Sequence, residues 1–232
     1  MIARLISLLI GYGFGLFQTA SVVGRMHGVD IRKVGSGNPG TTNALRVFGA
    51  GAGICVFIGD FAKCMISVLL VRWLSSYILP DISWLLSLYA GFGCILGHDF
   101  PVQMHFKGGK GIACTAGFAA TLPLQFIPVC LLSFFIPALL THYVSLGSIL
   151  LNIILVAMMF LMGQNGRIPV PQKCLPEIYA IILLIAVIAI VRHRENIVRL
   201  LNGTERKTYL FGKKKEKGEH SKEGLGGNDD GH

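Results

Sequence analysis

The chain has 232 residues, of which 53% are hydrophobic and only 14% charged, with a formal net charge of +9 at pH 7. Soluble domains carry about 25% charged residues, and the shortage here is concentrated in long uncharged runs, which excludes an ordinary soluble fold. The basic excess does not point to a nucleic-acid partner: the aromatics sit largely inside the apolar runs rather than among the basic residues, and surplus Lys and Arg in such a chain mark cytoplasmic loops.

The first apolar segment, about 3–24, is uncharged from Leu5 to Gly24. It is long for a signal peptide and ends at polar Arg25 without a clear cleavage site, so it reads as a membrane crossing. A second crossing is expected at about 50–74. It contains Asp60 and Lys63, whose i, i+3 spacing allows an ion pair. Charges inside a span are costly and are paired or functional, and here a structural pair is the favoured reading. A third crossing follows at about 82–97. From Gly111 to Gly166 there is no Asp, Glu, Lys or Arg. That run holds roughly 84 Å of helix against a hydrocarbon core of about 30 Å, and is read as three crossings broken near Pro123 and His142. A last crossing is expected at about 175–191. Two domains follow from this: a membrane domain over 1–206 and a Lys-, Glu- and Gly-rich tail over 207–232, expected to be disordered.

The expected fold is therefore an all-α integral membrane protein with seven transmembrane helices. Polar segments at about 25–49, 98–111 and 192–206 carry Arg25, Arg32, Lys33, Arg46, Lys107, Lys110 and the basic residues beyond Arg192. Only Arg4, Arg72, Arg167 and Lys173 fall on the opposite face. The positive-inside bias puts all three polar segments in the cytoplasm, with the N-terminus outside and the C-terminus inside; even numbers of crossings between them agree. Cys55, Cys64, Cys94, Cys114, Cys130 and Cys174 are scattered, mostly in apolar runs, with no C-x-x-C pair. They read as packing residues, and neither a metal nor a cofactor is expected.

Three strings carry candidate chemistry. The first loop contains GSGNPGTTNALRVFG, residues 35–49. Its glycines, Gly37 among them, let backbone N–H groups approach an anion. Ser36, Asn38, Thr42 and Asn43 add neutral hydrogen bonds, and Arg46 offers a planar fork matched to phosphate. A flexible polar turn would have a similar composition. The second loop contains GHDFPVQMHFKGGKGIACT, residues 97–115. Gly108, Gly109 and Gly111 bracket Lys110, Lys107 precedes them, and a helix is expected from Ile112. Amides at a helix N-terminus plus two lysines make an anion site; a plain basic loop is the alternative. The spacing is not that of a Walker A loop. The third string, HRENIVRLLNGTE at 193–205, places His193, Asn196 and Leu200 on one helix face. His193 suits a general base, a phosphate ligand or a hydrogen-bonded structural residue. Together the strings imply a phosphate-bearing substrate handled beside the bilayer, without saying whether it is transported, bound or converted.

GSGNPGTTNALR, FKGGKG and HRENIVRLLNGTE, in this order and spacing, resemble the three signature motifs of the acyl-phosphate-dependent glycerol-3-phosphate acyltransferases of bacteria, over residues 1 to about 208. The resemblance implies transfer of a fatty acyl group from acyl phosphate to the sn-1 hydroxyl of glycerol 3-phosphate. It implies essential roles for Ser36 and Arg46, a glycerol-phosphate site at the FKGGKG glycines, and third-motif roles for His193, Asn196 and Glu205. It also implies a multi-pass protein of the bacterial plasma membrane, its active site facing the cytoplasm, partnered by membrane lipid and supplied by a soluble phosphate acyltransferase. Gln103–His105 replace residues that are commonly more apolar, and Thr41 stands where alanine is usual. Neither a G-x-S-x-G elbow nor an H-x-x-x-x-D pattern occurs, so direct transfer without an acyl-enzyme is expected, with His193 or a phosphate oxygen as proton acceptor. A transporter for a phosphorylated solute is the rival class. It would need polar residues through the other half of the bundle, where Gln125, His142 and Asn152 are the main ones.

Overall fold

The computed structural model describes residues 1–210, and among these the chain is helix and turn with no strand. The helices are α1 (Ile2–Gly15), α2 (Thr19–Met26), α3 (Thr41–Phe48), α4 (Ala50–Ile78), α5 (Ser83–Asp99), α6 (Ile112–Ala119), α7 (Phe126–Thr141), α8 (Val144–Gln164), α9 (Leu175–Arg192) and α10 (Arg194–Leu201). Large apolar side chains such as Ile58, Leu132 and Leu161 stay exposed on the long helices. That is what a lipid-facing surface requires, and only helices or closed barrels satisfy every backbone polar group there.

Five segments are long and apolar enough to cross a membrane: Ile2–Met26, Ala50–Ile78, Pro80–Met104, Val144–Gln164 and Gln172–Arg192. The seven expected crossings are not reached. α7 has 16 residues and α6 only eight, or about 24 Å and about 12 Å of helix, short of the ~30 Å core. α6 stops because Arg72 takes the Thr121 carbonyl at 3.0 Å and Pro123 follows. The breaks expected near Pro123 and His142 are present; the length between them is not. The first crossing is also interrupted, between α1 and α2. There Gln18 Nε2 donates to the Gly15 and His98 carbonyls, and Lys63 Nζ donates to the Phe17 carbonyl at 2.6 Å.

α1 lies along α5, which packs on α4; α6 packs on α4, and α7 to α9 complete the bundle. The α1–α5 contact is backbone against backbone. A Cβ on Gly11 would lie 1.9 Å from the Ala90 carbonyl oxygen, one on Gly93 2.1 Å from that of Leu8, and one on Gly97 2.3 Å from that of Tyr12. Small residues permit such approach between membrane helices, where no hydrophobic effect draws helices together. The packed region also runs past residue 206. Thr208 is buried, its N–H donates to the His142 carbonyl at 2.8 Å, and the Tyr209 ring lies 4.5 Å from that of His142. Thr208 thus packs on the bundle just past residue 206, and 211–232, the rest of the expected tail, lie outside the described residues.

The α1–α5 seam sets a stability test. Gly93→Val forces backbone apart and should cost about 1–3 kcal/mol, read as a lowered unfolding midpoint in detergent. Gly13→Val, where a Cβ meets nothing within 4 Å, should leave the midpoint unchanged; equal midpoints for the two variants would contradict the close packing.

Candidate active site

One cavity of about 670 Å³ opens where the three polar segments meet. Four helices begin at its wall: α3 at Gly40–Thr42, α6 at Gly111–Ala113, α8 at Val144–Ser145 and α10 at His193–Glu195. No side chain caps any of these four N-termini. Those of α3, α6 and α8 carry partial positive charge on unsatisfied N–H groups, whereas α10 follows α9 through His193 with N–H groups bonded back to α9 carbonyls; three termini make the wall anion-seeking before any basic side chain is added. Arg32, Arg46, Lys107, Lys110, Arg192, Arg194, Arg199 and Arg206 line it, against the carboxylates of Asp60, Glu195 and Glu205.

The first loop is held open by Asn43. Its Oδ1 accepts from the Ser36 N–H at 2.8 Å, and its Nδ2 donates to the Ile31 and Val34 carbonyls, both at 3.1 Å. Both ends of the amide are engaged with loop backbone, so Asn43 shapes the loop from its place in the cavity wall. Gly37, with φ +72, leads the chain into the turn. Arg46 donates from Nε to Thr208 Oγ1 at 3.1 Å and from Nη2 to Thr208 Oγ1 and the Arg206 carbonyl. Burial holds its pKa below the ordinary arginine value, without removing the charge.

In the second loop Gly108 N–H donates to the Asp99 carbonyl and Gly109 N–H to that of His98, both at 3.1 Å. A Cβ on Gly108 would lie 2.1 Å from the His98 carbonyl oxygen, and one on Gly109 2.1 Å from His98 Nε2. These glycines are therefore required by packing on His98. Gly109 does not reach the cavity wall; its carbonyl, with that of Gly108, accepts from Arg192 at 2.6–3.0 Å. Lys110 donates to Asn196 Oδ1. Asn196 Nδ2 donates to Glu205 Oε1 at 2.6 Å, which also accepts from Ser145 at 2.9 Å, while Arg199 Nε donates to Oε2 at 2.8 Å. Asn196 and Glu205 are thus arranged to place the ammonium. Burial pushes Glu205 up, but the donors from Asn196, Arg199 and Ser145 outweigh it and leave its pKa low.

His193 is buried, and Nδ1 lies 2.7 Å from the Ala189 carbonyl of its own helix. A carbonyl only accepts, so Nδ1 carries the proton and Nε2 is left as an acceptor. Burial lowers its pKa to about 4, keeping the ring neutral. Desolvation also drives Lys110 down, to about 8.

At the floor, Lys63 pairs with Asp60 at 2.8 Å, as the i, i+3 spacing predicts. The pair is more than structural filling: Asp60 and His98 line the cavity, Thr19 Oγ1 donates to Asp60 at 3.0 Å, and Lys63 Nζ is 2.9 Å from His98 Nδ1. Ser36, Gly37, Asn38, Thr42, Asn43, Arg46, Lys107, Gly108, Lys110, Gly111, His193, Asn196 and Glu205 all reach the wall. Sequence reasoning missed Arg192, Arg199, Ser145 and His98. Arg192 and Arg199 flank or lie in the third string and were readable as basic neighbours of it; Ser145 sits in the uncharged run with nothing to mark it.

The arrangement can hold two anionic groups beside a neutral histidine acceptor. Residues 5–203 match a family model described as glycerol-3-phosphate acyltransferase. A protein of that name from Thermosipho melanesiensis is 38% identical over 90% of this chain and 97% of its own length. One from Thermotoga petrophila is 39% identical over 88% and 95%. The fold is similar to the crystal structure of PlsY (YgiH), an integral membrane glycerol 3-phosphate acyltransferase, in its glycerol 3-phosphate form, with a TM-score of 0.76 and 32% identity over 89% of this chain and 96% of that one. The lysophosphatidic acid form of PlsY superposes with a TM-score of 0.73 at 30% identity, over the same shares of the two chains.

The lowered pKa of Lys110 gives a pH test with a defined sign. The ammonium is lost as pH rises through about 8, not through the ordinary 10.5. Sulfate keeps its charge over that range, so its affinity for the cavity, measured by calorimetry, should fall above pH 8. Lys110→Arg stays charged and should flatten the profile; a wild-type affinity constant to pH 10 would contradict the role.

Proposed function

Because the chain belongs to the glycerol-3-phosphate acyltransferase family, we propose that it transfers a fatty acyl group from acyl phosphate to the sn-1 hydroxyl of glycerol 3-phosphate, releasing lysophosphatidic acid and phosphate. The observation that carries the reading is the convergence of three uncapped helix N-termini, those of α3, α6 and α8, with Arg46 and Lys110 on one cavity. Acyl phosphate is already activated, so the site has only to hold two anions with reacting atoms about 3 Å apart and stabilise developing charge. Arg46, the Ser36–Thr42 turn, Lys107 and the start of α6 at Gly111 serve phosphate groups. Lys110, placed by Asn196 and Glu205, shares the wall with His193. Nε2 of His193 accepts the hydrogen bond of the attacking hydroxyl and aligns it. With a pKa of about 4 His193 is a weak base, and the departing phosphate is the better final holder of the proton. The acyl group passes directly between oxygens.

The donor decides the reading. Purified protein in detergent with acyl phosphate and glycerol 3-phosphate should release phosphate in step with lysophosphatidic acid, whereas acyl-CoA should give neither. Equal turnover with acyl-CoA would overturn it.

This activity is the first step of phospholipid synthesis in the bacterial plasma membrane, with donor made by a soluble phosphate acyltransferase. The cavity then faces the cytoplasm, the N-terminus lies outside and the described C-terminal residues inside. Short α6 and α7 do not disturb this order, because α6 leaves the cavity wall at Gly111 and α8 returns to it at Val144. The excursion begins and ends on one side whatever its depth. Cysteines placed at positions 40, 107 and 203 should resist an impermeant thiol reagent added to intact cells and react after lysis; labelling from outside would reverse the orientation.

A further inference from the structure

The two cavity histidines are set in opposite tautomers by fixed partners. His193 keeps its proton on Nδ1, as described. His98 is different. Its Nδ1 lies 2.9 Å from Lys63 Nζ. The ammonium has three N–H donors and no acceptor. Here every partner is an acceptor: the Phe17 carbonyl at 2.6 Å, Asp60 Oδ1 at 2.8 Å, His98 Nδ1 and, farther off, the Gly15 carbonyl at 3.5 Å. An ammonium can only donate, so His98 Nδ1 accepts. The ring proton then sits on Nε2, and no described residue accepts from it.

His98 lines the cavity at a junction of two walls. On one side it packs on Gly109, next to Lys110. On the other lies Asp60, 3.7 Å from Nδ1, with Phe57 one turn earlier on the same face of α4 and Phe134 also in the wall. An acyl phosphate has an anionic head and an apolar chain. With its head on the cationic wall and its chain along the phenylalanines, its carbonyl falls at that junction. We infer that Lys63 fixes His98 with its proton on Nε2, so that His98 donates a hydrogen bond to the acyl carbonyl oxygen as it becomes an oxyanion. This assignment rests on the acyl-phosphate reading above. The glycerol oxygen bonds to the acyl carbon, the bond from that carbon to the phosphate oxygen breaks with its electron pair going to phosphate, and the hydroxyl proton ends on phosphate. The His98 proton is shared throughout and not transferred.

Two measurements test it. In detergent-solubilised protein carrying ¹⁵N-labelled histidine, the resonances lost in His98→Gln should belong to a ring protonated at Nε2 and bare at Nδ1, while those lost in His193→Gln show the reverse. A His98 ring protonated at Nδ1 overturns the inference. In turnover, His98→Leu removes the donor and should lower kcat about a hundredfold, with the KM for glycerol 3-phosphate within about twofold of wild type. His98→Gln, which keeps a side-chain N–H, should recover to within about tenfold of wild type. A folded leucine variant with wild-type kcat overturns the oxyanion role while the donor reading stands. Wild-type protein that releases no phosphate from acyl phosphate overturns the donor reading itself, and the oxyanion role with it.

Discussion

An ammonium buried within the thickness of a bilayer must be surrounded by acceptors, and Lys63 organises much of this bundle by meeting that demand. One acceptor, the Phe17 carbonyl, exists only because the first crossing unwinds between α1 and α2. The break lets α2 leave the axis of α1 and settle on α3 and α4, where Ala20, Val23, Ile31, Ala44 and Val56 form a small core of their own. That core seats the Gly-rich loop containing Ser36. Removing the lysine would strand Asp60 in the interior, a change that costs about 3–5 kcal/mol at comparable buried pairs.

The cavity's positive charge is divided between structure and substrate. Arg192 donates to the carbonyls of Gly108 and Gly109, and Arg199 to Glu205. Both serve to shape the loops that carry Lys110. The helix N-termini need no counter-charge, since their partial charges are fixed by backbone that would be ordered in any case. A wall made this way keeps its field without side-chain rearrangement, which is the form of electrostatic preorganisation that enzymes exploit.

Much of this was legible in the sequence, for physical reasons. Uncharged runs report burial in lipid directly, so the second, third and last crossings fall where hydropathy puts them. Hydropathy counts apolar residues and not helical ones, and so the Gly111–Gly166 run was read as three full crossings although Arg72 and Pro123 end α6 after eight residues. The same limit hid the break at residues 16–18, which is caused by side chains from α4 and from the loop itself. Site residues clustered in strings were found together. Gly108 and Gly109 carry a constraint that the string does not show: their lack of a Cβ accommodates His98, a partner ten and eleven positions away. Ser145 and Thr208 were invisible because a lone hydroxyl has no pattern; only the fold brings them to Glu205 and Arg46.

In the proposed reaction, the bond between Arg46 and Thr208 bears on how a phosphate group reaches the arginine. A guanidinium left loose beside Glu205 would tend to collapse onto the carboxylate, and an arriving phosphate would first have to break an ion pair. Thr208 instead offers a neutral hydroxyl, an acceptor roughly half as strong as a charged one. It parks the arginine in extended readiness and yields to any true anion. The hydroxyl acts as a placeholder: strong enough to prevent self-neutralisation, weak enough to be displaced without a separate opening step.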